Sequence, residues 1–255
     1  MRGDRLDQRV TIGILGASGR LGKAVAVEIL QNPQISLGPL IVHKRSSHIG
    51  SDLGLLLGQA PLGILFSTAP AQQVDAWIDV SLPSGLQERL ALFGEQMKPV
   101  VIGTTGFSEE DLEGIQDLSE RVPLIYAPNF SLGMALMQRL AEEAARHFPL
   151  STQIDLVETH HCQKQDAPSG SALLLAKAIQ REVPGRLPVS IHSIRSGKIL
   201  GQHALLFNTG EERLTLIHEI DSRDAFVKGA LEAALFVLSQ PPGLYGMQDL
   251  ARALI

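Results

Sequence analysis

The chain has 255 residues, 44% of them hydrophobic, with 22 Lys+Arg against 27 Asp+Glu and a formal net charge of −5. That length makes one large domain or two modest ones with a core that needs no staples. The mild acidity argues against a nucleic-acid binder, whose affinity comes mainly from neutralising phosphates, and the lone Cys162 excludes an internal disulfide framework and a multi-cysteine zinc site.

A single cysteine fits a reducing, cytoplasmic compartment. Residues 1–9 carry five charges and no apolar core, so no signal peptide is expected. Residues 53–74 are uncharged, but Gly54, Gly58, Pro61, Gly63 and Pro70 break them into short pieces. No membrane span is expected, since one needs about 20 predominantly apolar residues in one helix.

A buried-strand run at 10–15 opens the chain, followed by a glycine-rich turn. A helix is expected at 21–31, with Val25, Ile29 and Leu30 on one face. Strands follow at 35–42, 62–66, 76–80, 99–102 and 123–126, with helices at 85–93 and 108–118. This alternation implies parallel strands and right-handed crossovers. The expected fold class is α/β, a Rossmann-like doubly wound parallel sheet.

The rhythm changes after Asn129. Ser131 opens a long helix with Leu132, Leu136 and Leu140 in register. A strand is expected at 154–160, a helix at 169–182, strands at 189–194, 203–207 and 214–220, and a helix at 223–238. Clustered strands beside helices suggest a C-terminal α+β domain with an open mixed sheet, whose bare face another subunit would cover. The expected division is a dinucleotide-binding domain at 1–129 and a substrate-binding and oligomerisation domain at 130–239, hinged near Ala127-Pro128-Asn129.

Gly16-Ala17-Ser18-Gly19-Arg20-Leu21-Gly22 lies between the first strand and the first helix. This spacing permits a tight turn, close approach of a pyrophosphate and close helix–strand packing, with backbone N–H groups and the helix dipole facing the anion. Arg20 either faces a phosphate or is a solvated helix-start residue. The second strand ends in His43-Lys44-Arg45-Ser46-Ser47, without the carboxylate that would bind the ribose 2′-hydroxyl of NAD. Two cations there suit a 2′-phosphate, which favours NADPH and leaves NADH as the second option. Gly103-Thr104-Thr105-Gly106 and Ala127-Pro128-Asn129-Phe130 follow two further strands at the ends that line the cleft of such a sheet.

Glu158-Thr159-His160-His161-Cys162-Gln163-Lys164-Gln165-Asp166-Ala167-Pro168-Ser169-Gly170-Ser171 runs from a strand through a loop into a helix. Ser169 is the expected cap, and the helix N-terminus can hold a carboxylate. With two histidines and a lysine beside it, the segment forms a site for an anionic, carboxylate-bearing substrate, and an imidazole can exchange a proton near neutrality. One histidine can instead be structural, since neighbours on a strand face opposite ways. Metal binding is not expected, because His160, His161 and Cys162 in sequence do not converge on one ion.

These segments, together with Gly201-Gln202-His203 and the terminal stretch from Gly243 to Asp249, resemble the 4-hydroxy-tetrahydrodipicolinate reductase (dihydrodipicolinate reductase) family over almost the whole length. The resemblance implies NAD(P)H-dependent reduction of a cyclic dicarboxylate in diaminopimelate and lysine biosynthesis, by a homotetramer. It implies His160 and Lys164 as proton donors, and His161, Ser169, Gly170 and Ser171 as substrate contacts. It implies cofactor contacts at Gly16, Ala17, Ser18, Gly19, Arg20, Leu21, Gly103, Thr104, Thr105, Ala127, Pro128, Asn129 and Phe130, with His43 and Lys44 in place of the family's acid. It also implies that the tail, 240–255, returns to the first domain. Ser171 stands where the family has Thr and keeps the hydroxyl. Rival readings are a non-catalytic NADP-sensing regulator and an imine-reducing amino-acid dehydrogenase. A short-chain-type dehydrogenase is rejected, because neither Tyr126 nor Tyr245 has a lysine four residues on.

Overall fold

The structure is a computed structural model that describes residues 9–254. Most of the charged leading segment read as lacking a signal peptide lies outside the described residues. The elements are β1 (Val10–Leu15), α1 (Arg20–Gln31), β2 (Ile35–Ile41), α2 (Leu53–Leu56), β3 (Phe66–Ser67), β4 (Ala76–Asp79), α3 (Leu86–Gln96), β5 (Val100–Ile102), α4 (Glu109–Ser119), β6 (Pro123–Tyr126), α5 (Leu132–His147), β7 (Gln153–His160), α6 (Gly170–Glu182), β8 (Ser190–Arg195), β9 (Gln202–Asn208), β10 (Arg213–Glu219), α7 (Asp224–Val237), β11 (Gly243–Tyr245) and α8 (Met247–Ala253). No helix among the described residues is long and apolar enough to cross a membrane.

Chain contacts define two compact units. One joins the described residues up to Phe130 with Phe226–Leu250; the other joins Ser131–Ala225 with the described residues from Ala251 on, so only the first part of the tail expected to return to the first domain groups with it. The first holds a seven-stranded sheet in the order β11-β6-β5-β4-β1-β2-β3, with every pairing parallel. The order reverses direction at β1, which pairs with β2 on one side and β4 on the other. Its carboxyl end is therefore a topological switch point, where open α/β sheets bind ligands. Ile12, Ile14, Trp77, Val100, Ile102 and Leu124 are fully buried, as strands covered on both faces require. Gly13 makes room for the Trp77 indole, which a Cβ at that position would meet at 2.3 Å.

Several details differ from what the sequence suggests, among them short helices at Leu53–Leu56 and Met247–Ala253. The strand expected at 62–66 shrinks to Phe66–Ser67. The buried Asp52 carboxylate instead gathers the N–H groups of Gly54, Leu55, Leu62 and Ile64 at 2.7–3.4 Å, so Leu62 and Ile64 have no donors left for a ladder. The sequence reading also placed the helix at 223–238 in the second domain, whereas the contacts group it from Phe226 onward with the first unit. Gly229 sits so close beneath Phe130 that a Cβ would fall 1.8 Å from the Phe130 carbonyl oxygen. The tail adds β11 alongside β6.

In the second unit the sheet order is β10-β9-β7-β8, with β7 and β8 parallel across the α6 crossover and the other pairs antiparallel. Ile154, Leu156, Leu205 and Phe207 alternate onto one face, packed under Met137 and Ala141 of α5 and Leu175 and Ile179 of α6. On the other face Ile217 and Ile194 are exposed, at 66% and 46%. Arg186, itself buried, closes the end of α5 by donating to the carbonyls of Ala145, Phe148 and Pro149 at 2.6–2.9 Å. Those helix-end acceptors have no partner within the helix.

Candidate active site

Polar chemistry gathers at one place in each unit. In the first, Gly16 leaves β1 with φ +76°, a conformation that favours glycine. Its N–H and that of Ala17 donate to the Ile41 carbonyl at the end of β2. A Cβ on Gly16 would meet Ser81 backbone atoms and the Val80 carbonyl oxygen at 2.7 Å, and one on Gly22 would fall 2.4 Å from the Gly16 carbonyl oxygen. Gly19 occupies the N-cap of α1, and no side chain among the described residues caps that end. Its N-terminal amides therefore remain available to an anion. A dinucleotide pyrophosphate fits this cradle.

The adjoining loops are tied to it. Thr104 is buried and its hydroxyl donates to the Ser81 carbonyl at 3.1 Å. Gly103 gives space to the buried Phe130 ring, which a Cβ there would meet at 2.3 Å. Ala127 is buried and bonded through its N–H to the Ile102 carbonyl. Of the predicted cofactor contacts, Ala17, Thr104, Ala127 and Phe130 are buried, while Gly19, Arg20, Thr105 and Pro128 lie open to solvent and Gly16, Ser18, Leu21, Gly103 and Asn129 are half-buried.

The loop after β4, residues 80–85, was missed. It occupies the same end of the sheet as the loops after β5 and β6, which was the available signal. Buried Asp79 holds it: its carboxylate accepts from Ser81 and from Arg89 Nε at 2.7 Å, and Arg89 also donates to the Ser84 and Leu82 carbonyls. At the end of β2, His43 and Lys44 are exposed. Lys44 Nζ lies 2.9 Å from Glu88 in the first turn of α3. A carboxylate from a neighbouring helix thus stands beside the Lys44 ammonium. Lys44 and, less strongly, His43 hold the Glu88 carboxyl below the usual range.

In the second unit, residues two apart on β7 share a face. That alternation brings Glu158 and His160 together on the helix-covered side, with His160 Nδ1 hydrogen-bonded to Glu158 Oε2. Glu158 is fully buried. Its other oxygen accepts from Arg195 on β8 at 2.8 Å and from the Ser169 N–H at 3.3 Å. Burial alone would push the Glu158 carboxyl up, but hydrogen bonds from Arg195, Ser193 and His160 outweigh it and bring it to about 2. His160 is pushed down by burial against the opposing pull of Glu158.

The loop then turns back. Arg195 also donates to the Asp166 carbonyl at 2.6 Å, and Lys164 Nζ lies 2.8 Å from the Asp166 carboxylate. Ser169 caps α6, accepting from the Ala172 N–H, so the helix presents its N-terminus at Gly170 and Ser171. His161 lies beyond the strand end, half-buried, and its Nδ1 is shielded with no partner among the described residues. The structure thus brings His160, His161, Lys164, Ser169, Gly170 and Ser171 onto one strand end, loop and helix start.

Sequence reasoning assigned no role to Glu158, Arg195, His203 or His218. His203 on β9 faces the edge of the His160 ring, with centroids 5.3 Å apart, and is paired in register with His218 on β10. Burial, reinforced by the charges of His160 and His218, brings His203 down to about 4. The cap serines meet these rings: Ser169 Oγ lies 3.4 Å from His203 Nε2, and Ser131 Oγ, capping α5, lies 3.1 Å from His218 Nε2. Glu158, His160 and His203 offer donor atoms within 4.8 Å of one another. Arg195 already supplies the counter-charge there, so the cluster reads as a hydrogen-bonded network.

A doubly wound sheet with a dinucleotide cradle, joined in one chain to an α+β unit bearing an imidazole–carboxylate pair and an anion-receptive helix end, defines a nicotinamide-nucleotide-dependent oxidoreductase. The family model described as "Dihydrodipicolinate reductase, N-terminus" matches residues 10–130, and its C-terminus counterpart matches 133–251. The chain belongs to the dihydrodipicolinate reductase family. It is 38% identical to the 4-hydroxy-tetrahydrodipicolinate reductase of Chromohalobacter salexigens, covering 93% of this chain and 97% of that one. It is 36% identical to that of Halorhodospira halophila, covering 94% and 97%. Among solved structures, the dipicolinate-bound dihydrodipicolinate reductase from Paenisporosarcina sp. TG-14 matches with a TM-score of 0.75 and 25% identity over 94% of this chain and 98% of that one.

Proposed function

We infer that this chain reduces 4-hydroxy-tetrahydrodipicolinate with NAD(P)H and a proton, releasing tetrahydrodipicolinate, NAD(P)+ and water, in diaminopimelate and lysine biosynthesis. The observation that carries the reading is the Glu158–His160 pair beside the Ser169-Gly170-Ser171 helix start, in a chain of this family. A non-catalytic NADP sensor has no use for such a pair.

When bound in the glycine cradle, the reduced nicotinamide supplies the hydride. The second unit supplies grip and protons. A substrate carboxylate accepts from the α6 amides at Gly170 and Ser171 and from His161, whose shielded Nδ1 has no partner among the described residues. With Nδ1–H directed to Glu158, His160 can donate only through a protonated Nε2. A dianionic ring beside it favours that imidazolium, opposing the downward pull of burial. Lys164 exchanges Asp166 for the substrate, placing an ammonium near the reacting ring and serving as the second proton donor.

NADPH is the preferred cofactor in this reading, with Lys44 and Arg45 meeting the 2′-phosphate. Glu88 moderates the preference by competing for Lys44. An oxidation assay with freshly made substrate tests both points. Wild-type protein should consume either cofactor, with the higher kcat/KM for NADPH. The Lys44→Ala/Arg45→Ala variant should lose about tenfold of the NADPH/NADH ratio, and Glu88→Gln should raise that ratio a few-fold. An unchanged ratio in both variants contradicts the assignment of this loop. The enzyme is cytoplasmic and assembles as a homotetramer through the exposed face of the second sheet, where Ile194 and Ile217 stand open.

A further inference from the structure

We propose that Glu158, held ionised by Arg195, is the positioning residue of the site. It fixes His160 with Nδ1 protonated and Nε2 turned outward, and the same carboxylate anchors the helix start that receives the substrate. The proposal rests on His160 being the proton donor.

The geometry carries it. Both Glu158 oxygens are engaged, one by His160 and the other by Arg195 and the Ser169 N–H. A single buried side chain on β7 thereby joins the imidazole, the partner strand β8 and the N-cap of α6. Arg195 extends the tie through the Asp166 carbonyl to the loop that carries Lys164. In a histidine, the hydrogen bond made by one ring nitrogen decides the protonation of the other. An acceptor-only carboxylate at Nδ1 leaves Nε2 as the exchanging atom. Gly201 keeps the Nε2 edge clear, since a Cβ there would lie 3.1 Å from it. A full negative charge also sustains the imidazolium, which a neutral amide cannot do. Arg195 keeps the carboxylate ionised in its buried position, where an uncompensated charge would be costly. The charged or titratable groups facing His160 are Glu158 on its own strand, Lys164 from the loop, Arg195 from β8 and His203 from β9, the last in contact with His218 on β10. Of these only Glu158 favours the protonated ring.

The test compares Glu158→Gln, Glu158→Asp and Glu158→Gln/Arg195→Met with wild type and with His160→Gln, by steady-state kinetics across pH. In Glu158→Gln, kcat should fall at least about tenfold, with NADPH affinity unchanged and KM for the ring moved less than kcat. The imidazolium is the active form, so activity declines as pH rises through its pKa. Loss of the carboxylate should move that decline to lower pH by about one unit. Glu158→Asp should recover part of kcat and return the pH limb towards the wild-type position. If Glu158→Gln does not fold because Arg195 is left unpaired, the double variant removes the stranded charge and should show the same kinetic loss.

A measurement on the unaltered protein stands independently. In 15N-histidine spectra, with the His160 signals assigned by their absence from His160→Gln, the neutral ring should carry its proton on Nδ1. A wild-type pH limb and kcat in Glu158→Gln or in Glu158→Gln/Arg195→Met would overturn the proposal, as would a His160 ring protonated on Nε2 alone. An active His160→Gln would instead overturn the underlying proton-donor reading, so the two failures are distinguishable.

Discussion

Replacing His160 with alanine should lower kcat by about a hundredfold or more, the scale of a positioned proton donor, and leave NADPH affinity close to wild type. Glu158 would then retain Arg195 and the Ser169 N–H, so the fold of the second unit should survive. Lys164→Ala should also depress kcat. It should raise KM for the ring more than His160→Ala does, since the proposed role of the ammonium is both to grip and to protonate. Steady-state kinetics with the ring varied at saturating NADPH, alongside equilibrium NADPH binding, separate the two effects. Wild-type turnover in either variant contradicts its assigned role.

The second large effect belongs to the first unit. Gly16→Ala should weaken NADPH binding by about a hundredfold or more. The left-handed backbone at φ +76° costs an alanine about 1 kcal/mol, and its Cβ would fall 2.7 Å from Ser81 and Val80 backbone atoms that have no flexible end to move aside. Relief requires the turn or the loop after β4 to shift, and both belong to the pyrophosphate cradle. Cofactor fluorescence titration measures the loss. A thermal melt as cooperative as that of the wild type should accompany the loss, which distinguishes local damage from global unfolding. Wild-type NADPH affinity would show that the turn does not hold the cofactor.

What could be read from the sequence was mostly local. The apolar run of β1, the glycine spacing and the Ser169 cap each declare themselves within a few residues, and so did the alternation of strands and helices. The shortening of the strand at 62–66 did not, because it depends on Asp52 reaching across ten or more residues to claim backbone donors. The grouping of α7 was also hidden. Val227, Ala230, Leu231 and Ala234 announce a buried helix, but not the surface that buries it.

The same division holds for the site. His160, Lys164 and the helix start are contiguous in sequence and were legible together. Glu158 lay in the quoted segment, and its two-residue spacing from His160 already places both on one face of a strand. Arg195, His203 and His218 arrive only through strand pairing, from positions 35 or more residues away, which no local pattern reports. Glu88 escaped notice for the same reason: it reaches Lys44 from α3, 44 residues further along the chain.

The most direct test follows the hydride itself. NADPH carrying deuterium at both C4 positions is mixed with the enzyme and freshly made 4-hydroxy-tetrahydrodipicolinate, and the ring product is weighed by mass spectrometry. The account predicts one deuterium on a ring carbon of each tetrahydrodipicolinate formed, in step with NADPH consumed. Tight NADPH binding with no label in the ring, or NADPH consumed without labelled product, would contradict it.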